Sequence, residues 1–108
     1  CLYLCDRDDL FLIAAEANRL LKDQGRIIIY DFAPNTNVKN TYKHCEGIVV
    51  HKMNHADLFS WNPDYVLEYH QSYCNDLSSP NVVDLNDQVA ISVLRKYPAG
   101  FGYANLEL

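Results

Sequence analysis

Apolar side chains recur at Leu10, Ile13, Ala14, Ala17 and Leu21, the spacing of one face of a helix. Asp6 stands where an N-cap is expected, and Asp8 and Asp9 put negative charge on the first turn. At the other end Lys22 suits the carbonyl-rich terminus, and Gly25 sits where a left-handed cap is expected. The pattern predicts an amphipathic helix of about four turns. The period then changes. Residues 26–32, Arg-Ile-Ile-Ile-Tyr-Asp-Phe, form a β-branched run too short for a helix. Their lack of alternation predicts a strand buried on both faces of a parallel sheet, with Ile28 inside and Asp31 at the carboxyl end. Cys1 to Cys5 reads as the end of another apolar strand, so residues 1–32 spell strand, helix, strand: a right-handed βαβ unit that opens within its first strand.

Beyond Phe32 the regular period lapses. Residues 33–54 read as an irregular excursion holding Pro34, several Asn and the apolar patch Gly47-Ile48-Val49-Val50. Ala56 to Trp61 predicts a short helix or turn ended by Pro63. Residues 65–74 alternate Tyr65, Leu67, Tyr69 and Tyr73 against Val66, Glu68, His70 and Cys74, the two-residue period of a strand. After a polar loop with Ser78, Ser79 and Pro80, Gln88 to Lys96 supplies an antiparallel partner with Val89, Ile91 and Val93 on one face. Residues 97–108, with Gly100 and Gly102, are expected to be a loose tail.

Composition narrows the class. At 108 residues, with 49% hydrophobic and 21% charged, the chain suits one small globular domain and excludes a disordered tail or a two-domain enzyme. Nine scattered bases against fourteen acids argue against a generic nucleic-acid-binding surface. The longest apolar run, Leu10 to Ala15, is too short for a bilayer. Cys1, Cys5, Cys45 and Cys74 show neither disulfide density nor paired spacings and are expected to be reduced thiols of a cytoplasmic protein.

The run from Ala15 to Asp31 resembles the second half of class I S-adenosylmethionine-dependent methyltransferases, in which an E-x-x-R-v-L-k-p-G-G helix runs into the fifth strand. Glu16, Arg19, Leu21, Lys22 and Gly25 match that pattern, while its Pro and one of its Gly are replaced here. Val89 to Lys96 is similar to that family's last strand, which inserts antiparallel between the fifth and sixth. The resemblance implies the C-terminal part of a Rossmann-like methyltransferase sheet, a βαβ unit followed by an antiparallel hairpin, in a single partial domain over residues 1–108. The implied activity is methyl transfer from S-adenosylmethionine to a small-molecule acceptor. Cys1, Leu2 and Tyr3 would border the methionine end of the cofactor. The glycine-rich loop and ribose-binding acid of that fold would lie before Cys1, and the exposed sheet edge at Leu2 to Cys5 implies self-association.

Within that frame the rim at the carboxyl end of the strand is the expected acceptor side. Asp31, Tyr42 and His44 are the candidate substrate-pocket residues, and Asp31, His44 and His51 the candidate bases where the acceptor must lose a proton. A zinc set from His51, His55, His70 and Cys74 is disfavoured, because residues four apart on a strand are about 13 Å apart. The rival reading is a non-catalytic binding or assembly module on a truncated fold of the same kind.

Overall fold

The computed structural model describes residues 1–74 and 87–106. After two short 3-10 turns at Leu2–Leu4 and Arg7–Asp9, the chain forms helix α1 (Leu10–Leu20), strand β1 (Arg26–Phe32), and strands β2 (Val38–Thr41) and β3 (Val49–Lys52). Helix α2 (Asp57–Ser60) and strands β4 (Tyr65–Cys74) and β5 (Gln88–Lys96) complete it. The polar loop expected around Ser78 to Pro80 lies outside the described residues. The fold is mixed α/β, with a three-stranded sheet of order β1-β5-β4 and a two-stranded sheet β2-β3. Every pairing in both is antiparallel. The expected bounds of β1, β4 and β5 and the β4–β5 pairing are all observed, from Tyr65 opposite Lys96 to Cys74 opposite Gln88.

The parallel βαβ opening is not. Residues 2–4 turn instead of extending, because side chains claim the backbone groups that a ladder would use. The Leu2 amide donates to Asp31 Oδ2 at 3.0 Å. Arg7 Nη2 donates to the Leu2 and Cys5 carbonyls at 2.7 and 2.9 Å. Among the described residues the unpaired edges of this sheet therefore lie on β1 and β4, each of which pairs only with β5, and not on residues 2–5.

Asp6 does cap, but it caps the second 3-10 turn, accepting from the Asp8 amide at 3.1 Å; α1 proper begins at Leu10. The predicted stripe is the inner face: Leu10 is buried, and Ala14, Ala17 and Leu21 pack on a core of Ala56, Phe59, Tyr65 and Leu94. Tyr65 Oη donates to Asn18 Oδ1 at 2.6 Å and ties β4 to the helix. The ammonium at the helix end is not that of Lys22. Lys96, the last residue of β5, donates to the Asn18 and Leu21 carbonyls at 2.6 and 2.8 Å.

The left-handed position is Gln24, at φ 69°, instead of Gly25. Gly25 is required for room: a Cβ there would lie 2.6 Å from Leu21 Cδ1 and 2.8 Å from the Lys22 carbonyl oxygen. A side chain in the left-handed region costs about 1–2 kcal/mol, and glycine returns about 0.4–1 kcal/mol of that through the entropy of the unfolded chain. Gln24→Gly is therefore expected to stabilise the fold by about 0.5 kcal/mol, read as a higher urea midpoint at unchanged slope.

β1 is buried on one face only. Ile27 and Ile29 pack inward, whereas Ile28 is 69% exposed and Tyr30 55%. Both helices pack on the same side of the sheet, and an apolar β-branched run reports strand propensity without reporting how many faces are covered. Ile28→Ala accordingly removes a side chain that is not in the core.

β4 departs from simple alternation. Leu67 is opposite Leu94 and Tyr69 opposite Val93, so Glu68 is an extra residue in a bulge. Tyr65 and Leu67 share the inner face. Past the bulge His70 and Ser72 take that face and Tyr69 and Tyr73 turn outward, where Tyr73 stacks on Tyr30 at 6.2 Å. Glu68 bridges Arg26 and Arg95 at 2.8 and 3.3 Å.

The excursion at 33–54 contains a hairpin, β2–β3, in register from Val38 opposite Lys52 to Thr41 opposite Val49. Gly47, at φ 82°, permits the turn that returns Ile48 to accept from the Tyr42 amide at 2.8 Å. The tail is held as far as Gly102. Asp64 accepts the amides of Gly100 and Gly102, each at 3.0 Å, and Tyr97 stacks on Phe101 at 4.1 Å. Gly102 lies so close to Pro63 that no Cβ fits, its ideal position falling 1.8 Å from the Pro63 carbonyl oxygen.

Candidate functional site

The hairpin leans over the carboxyl end of β1 and encloses a cleft of about 430 Å³. Its described walls come from four stretches distant in sequence: Tyr3 from the first turn, Phe32 from β1, Tyr42, Lys43, His44 and Lys52 from the hairpin, and Asp87 from just ahead of β5. Tyr3 meets Phe32 edge-on with ring centres 4.9 Å apart. Tyr42 and His44 make a second edge-on pair at 5.2 Å. The Lys52 ammonium stands 4.1 Å over the Phe32 ring, a cation–π geometry that keeps a buried amine beside an aromatic wall. Burial raises the Tyr3 phenol above its usual pKa, and the neighbouring Tyr42 and Asp31 add to the effect. Tyr3 therefore serves the cleft as a hydroxyl donor and not as a base.

Two of the three expected substrate-pocket residues, Tyr42 and His44, line this cleft, together with one of the expected cofactor-side residues, Tyr3. Asp31 does not line it. It is 8% exposed, and its carboxylate is occupied by the Leu2 amide at 3.0 Å and its neighbour Phe32's amide at 2.7 Å. His51 is also absent from the walls. β3 alternates, Val50 and Lys52 facing the cleft, and His51 lies on the opposite side with its Nδ1 buried and without a hydrogen-bond partner. Cys1 is exposed, and its amine is 3.5 Å from Asp31 Oδ2.

Behind the cleft lies a buried cluster that the sequence did not announce. His55 is 1% exposed. Its Nε2 is 3.1 Å from Arg7 Nη1, so Nε2 accepts and the proton sits on Nδ1, which faces Asp31 Oδ2 at 3.9 Å. Arg7 thus joins residues 1–5 to the segment after β3, and Asp31 joins the same residues to β1. Spacing marked His55 only as a remote partner for His51, and Arg7 was one base among nine. The only signal was the residue types themselves, since long-range pairing of this kind has no local period.

Burial, above all, depresses the His55 pKa below the usual 6.5; Asp31 opposes the shift, while Arg7, the chain's amino group and His51 reinforce it. His51 moves the same way through burial, Arg7 and Lys39, with Asp6 opposing. The unfolded chain then binds more protons than the folded one below about pH 6.5. Stability is full above that value and is lost as pH falls through the folded pKa values. Urea unfolding is expected to show a lower midpoint at about pH 5.5 than at about pH 7.5, and His55→Gln a smaller difference. A midpoint independent of pH in the parent protein would contradict the burial of these imidazoles.

A second groove, of about 480 Å³, runs between α1 and α2 and is lined largely by apolar side chains such as Phe11, Leu58 and Trp61. The four cysteines are free. Among the described residues no three His, Cys, Asp or Glu side chains converge to hold a metal ion, and no helix is long and apolar enough to cross a membrane. Comparisons with protein families, with curated proteins and with solved structures return no match to this chain.

Proposed function

We propose that this chain is the acceptor-side part of a class I S-adenosylmethionine-dependent methyltransferase, with the cleft over β1 holding a small-molecule methyl acceptor. The observation that carries the reading is the strand order β1-β5-β4, in which the last strand enters between the other two and runs antiparallel to both. That is the edge arrangement implied by the sequence resemblance, with α1 packed on the sheet ahead of β1. The motif residues support it further: Glu16 and Arg19 form an ion pair along the helix, and Gln24, where the family pattern has a glycine, adopts a left-handed backbone.

The expected cofactor side does not form a cradle. Leu2 has its amide committed to Asp31 and its carbonyl to Arg7, and of residues 1–3 only Tyr3 faces the cleft. These residues do not fit S-adenosylmethionine, and the 108-residue chain is expected to bind it more weakly than about 1 mM by calorimetry. The chain's own contribution is therefore to bind and orient the acceptor. Tyr3, Phe32 and Tyr42 would hold an aromatic face, His44 would accept a proton from the acceptor, and Asp31 would act as a positioning residue that fixes Tyr3 through Leu2. Alignment of this kind is what methyl transfer chiefly requires. The free thiols fit a reducing, cytoplasmic setting.

The engaged Leu2 peptide favours the second reading, a non-catalytic binding module. Labelled S-adenosylmethionine incubated with the protein expressed from its complete coding sequence and a small-molecule extract separates the two. Label is expected in a low-molecular-weight product, with kcat/KM lowered at least about tenfold by His44→Ala. Absence of label in every product, from a protein that still binds extract components, would select the module.

A further inference from the structure

Arg7 and Asp31 tie residues 1–5 to the rest of the fold, and His55 stands between them. Arg7 Nη2 donates to the Leu2 and Cys5 carbonyls at 2.7 and 2.9 Å, while its Nη1 reaches His55 Nε2 at 3.1 Å and the Met53 sulfur at 3.5 Å. Asp31 Oδ2 accepts the Leu2 amide at 3.0 Å and faces His55 Nδ1 at 3.9 Å. A guanidinium carries donors and no acceptor, so its contact with His55 requires an Nε2 without a proton. Protonation of Nε2 would turn two N–H groups and two positive charges against each other in a site where His55 is 1% exposed. The same proton makes the ring an imidazolium, whose Nδ1–H competes with the Leu2 amide for the Asp31 carboxylate. One protonation therefore loosens both ties.

We infer that His55 is the proton-operated latch of a strap formed by residues 1–5: neutral, it holds Arg7 and keeps the strap closed; protonated, it releases Arg7 and the strap opens. The charged and titratable groups around the ring act in both directions. Asp31 of β1 draws the proton in, whereas Arg7, the chain's amino group and His51 of β3 join burial in keeping it out. His51 in turn faces Arg7, Lys39 and Asp6. Because the closed strap disfavours the proton, linkage runs one way: the strap is closed above the folded-state pKa of His55 and opens as pH falls through it. Tyr3 is the strap's part of the cleft wall, where it meets Phe32 edge-on, so opening takes that wall away from the carboxyl end of β1. The device does not depend on what the cleft binds, and it is measurable on the protein alone.

The test is a nuclear magnetic resonance titration of the isotopically labelled chain between about pH 7.5 and about pH 5. The ring nitrogens of His55 report its protonation, and the hydrogen-bonded amides of Leu2, Leu4 and Cys5 report the strap. These amides are expected to shift with the midpoint of His55. Below it their protection from exchange, taken against an unstructured peptide at the same pH, is expected to fall at least about tenfold, while Ala90 to Leu94 in β5 stay protected. His55→Gln, whose side-chain oxygen accepts from Arg7 and takes no proton, is expected to keep the strap closed throughout, and His51→Gln to keep the transition. Strap amides that stay unchanged while His55 titrates would overturn the inference. So would a transition that persists in His55→Gln or vanishes in His51→Gln, since another group would then be the trigger. Loss of protection in β5 at the same midpoint would mean unfolding of the whole and would overturn it too; the parent titration alone decides between that outcome and a local opening, even where a variant does not fold.

Discussion

Leu94→Ala is expected to destabilise the fold by roughly 2–5 kcal/mol, a large part of the stability of a domain this small. Leu94 is 0% exposed. It lies in the central strand, opposite Ile27 on one side and Leu67 on the other, and it packs with Ala56, Phe59 and Tyr65 under α1. Truncation removes the methyl groups and leaves a space that neighbours on two fixed strands cannot collapse to fill. Urea denaturation checks it. A midpoint unchanged within error would mean that the core is centred elsewhere, whereas Ile28→Ala on the outer face serves as the control and is expected to cost well under about 1 kcal/mol.

Arg7→Met is expected to cost about 2–3 kcal/mol, although the residue sits in a short turn and not in the core. Its guanidinium supplies four contacts: the Leu2 carbonyl, the Cys5 carbonyl, His55 Nε2 and, at 3.5 Å, the Met53 sulfur. Methionine replaces the volume and none of the donors, so two carbonyls and a buried imidazole lose their partner at once. Lysine, with one nitrogen and no planar fork, restores only part of the loss. The sharper readout is local. Hydrogen exchange at Tyr3 to Asp9 should rise toward that of an open segment, because the Leu2 and Cys5 carbonyls lose their anchor. Exchange unchanged in that segment would show that Asp31 alone holds it.

Strand and helix identity were legible because they depend on local period: the α1 stripe and the extents of β1, β4 and β5 all follow from spacing. The antiparallel pairing of β4 with β5 followed from their matching periods, and what failed were the inferences about which groups claim a segment's hydrogen bonds and what covers a strand's faces. The Cys1 to Cys5 segment has strand composition, yet Asp31 and Arg7, remote or out of phase with it, take its hydrogen bonds. The Ile27 to Ile29 run has the composition of a two-faced strand, yet coverage is decided by where α1 and α2 land. The hairpin at 38–52 escaped because its strands are four residues long with a loop of seven between them, too brief for alternation to stand out. Tyr42 and His44 were singled out by residue type and position after β1, and they do converge; Lys43 and Lys52 were not, since a lysine in an acidic chain reads as a solvated surface charge.

Glu68 gives β4 a phase boundary. The strand is in effect two segments of opposite parity, joined by one residue that has no partner across the ladder. Its chemistry is an ion pair on the outer surface, which many residues could forgo at small loss; its existence as a count of one is what matters. Deleting it would leave a strand in unbroken alternation, with Tyr65, Leu67, His70 and Ser72 still on the inner face and Tyr69 and Tyr73 still outside, because these residues already stand opposite consecutive positions of β5. Deleting Glu68 together with Tyr69, by contrast, would set His70 opposite Val93 and carry it to the outer face. The strand therefore tolerates the loss of this one residue, at the expense of the local twist that a bulge adds, and does not tolerate the loss of two.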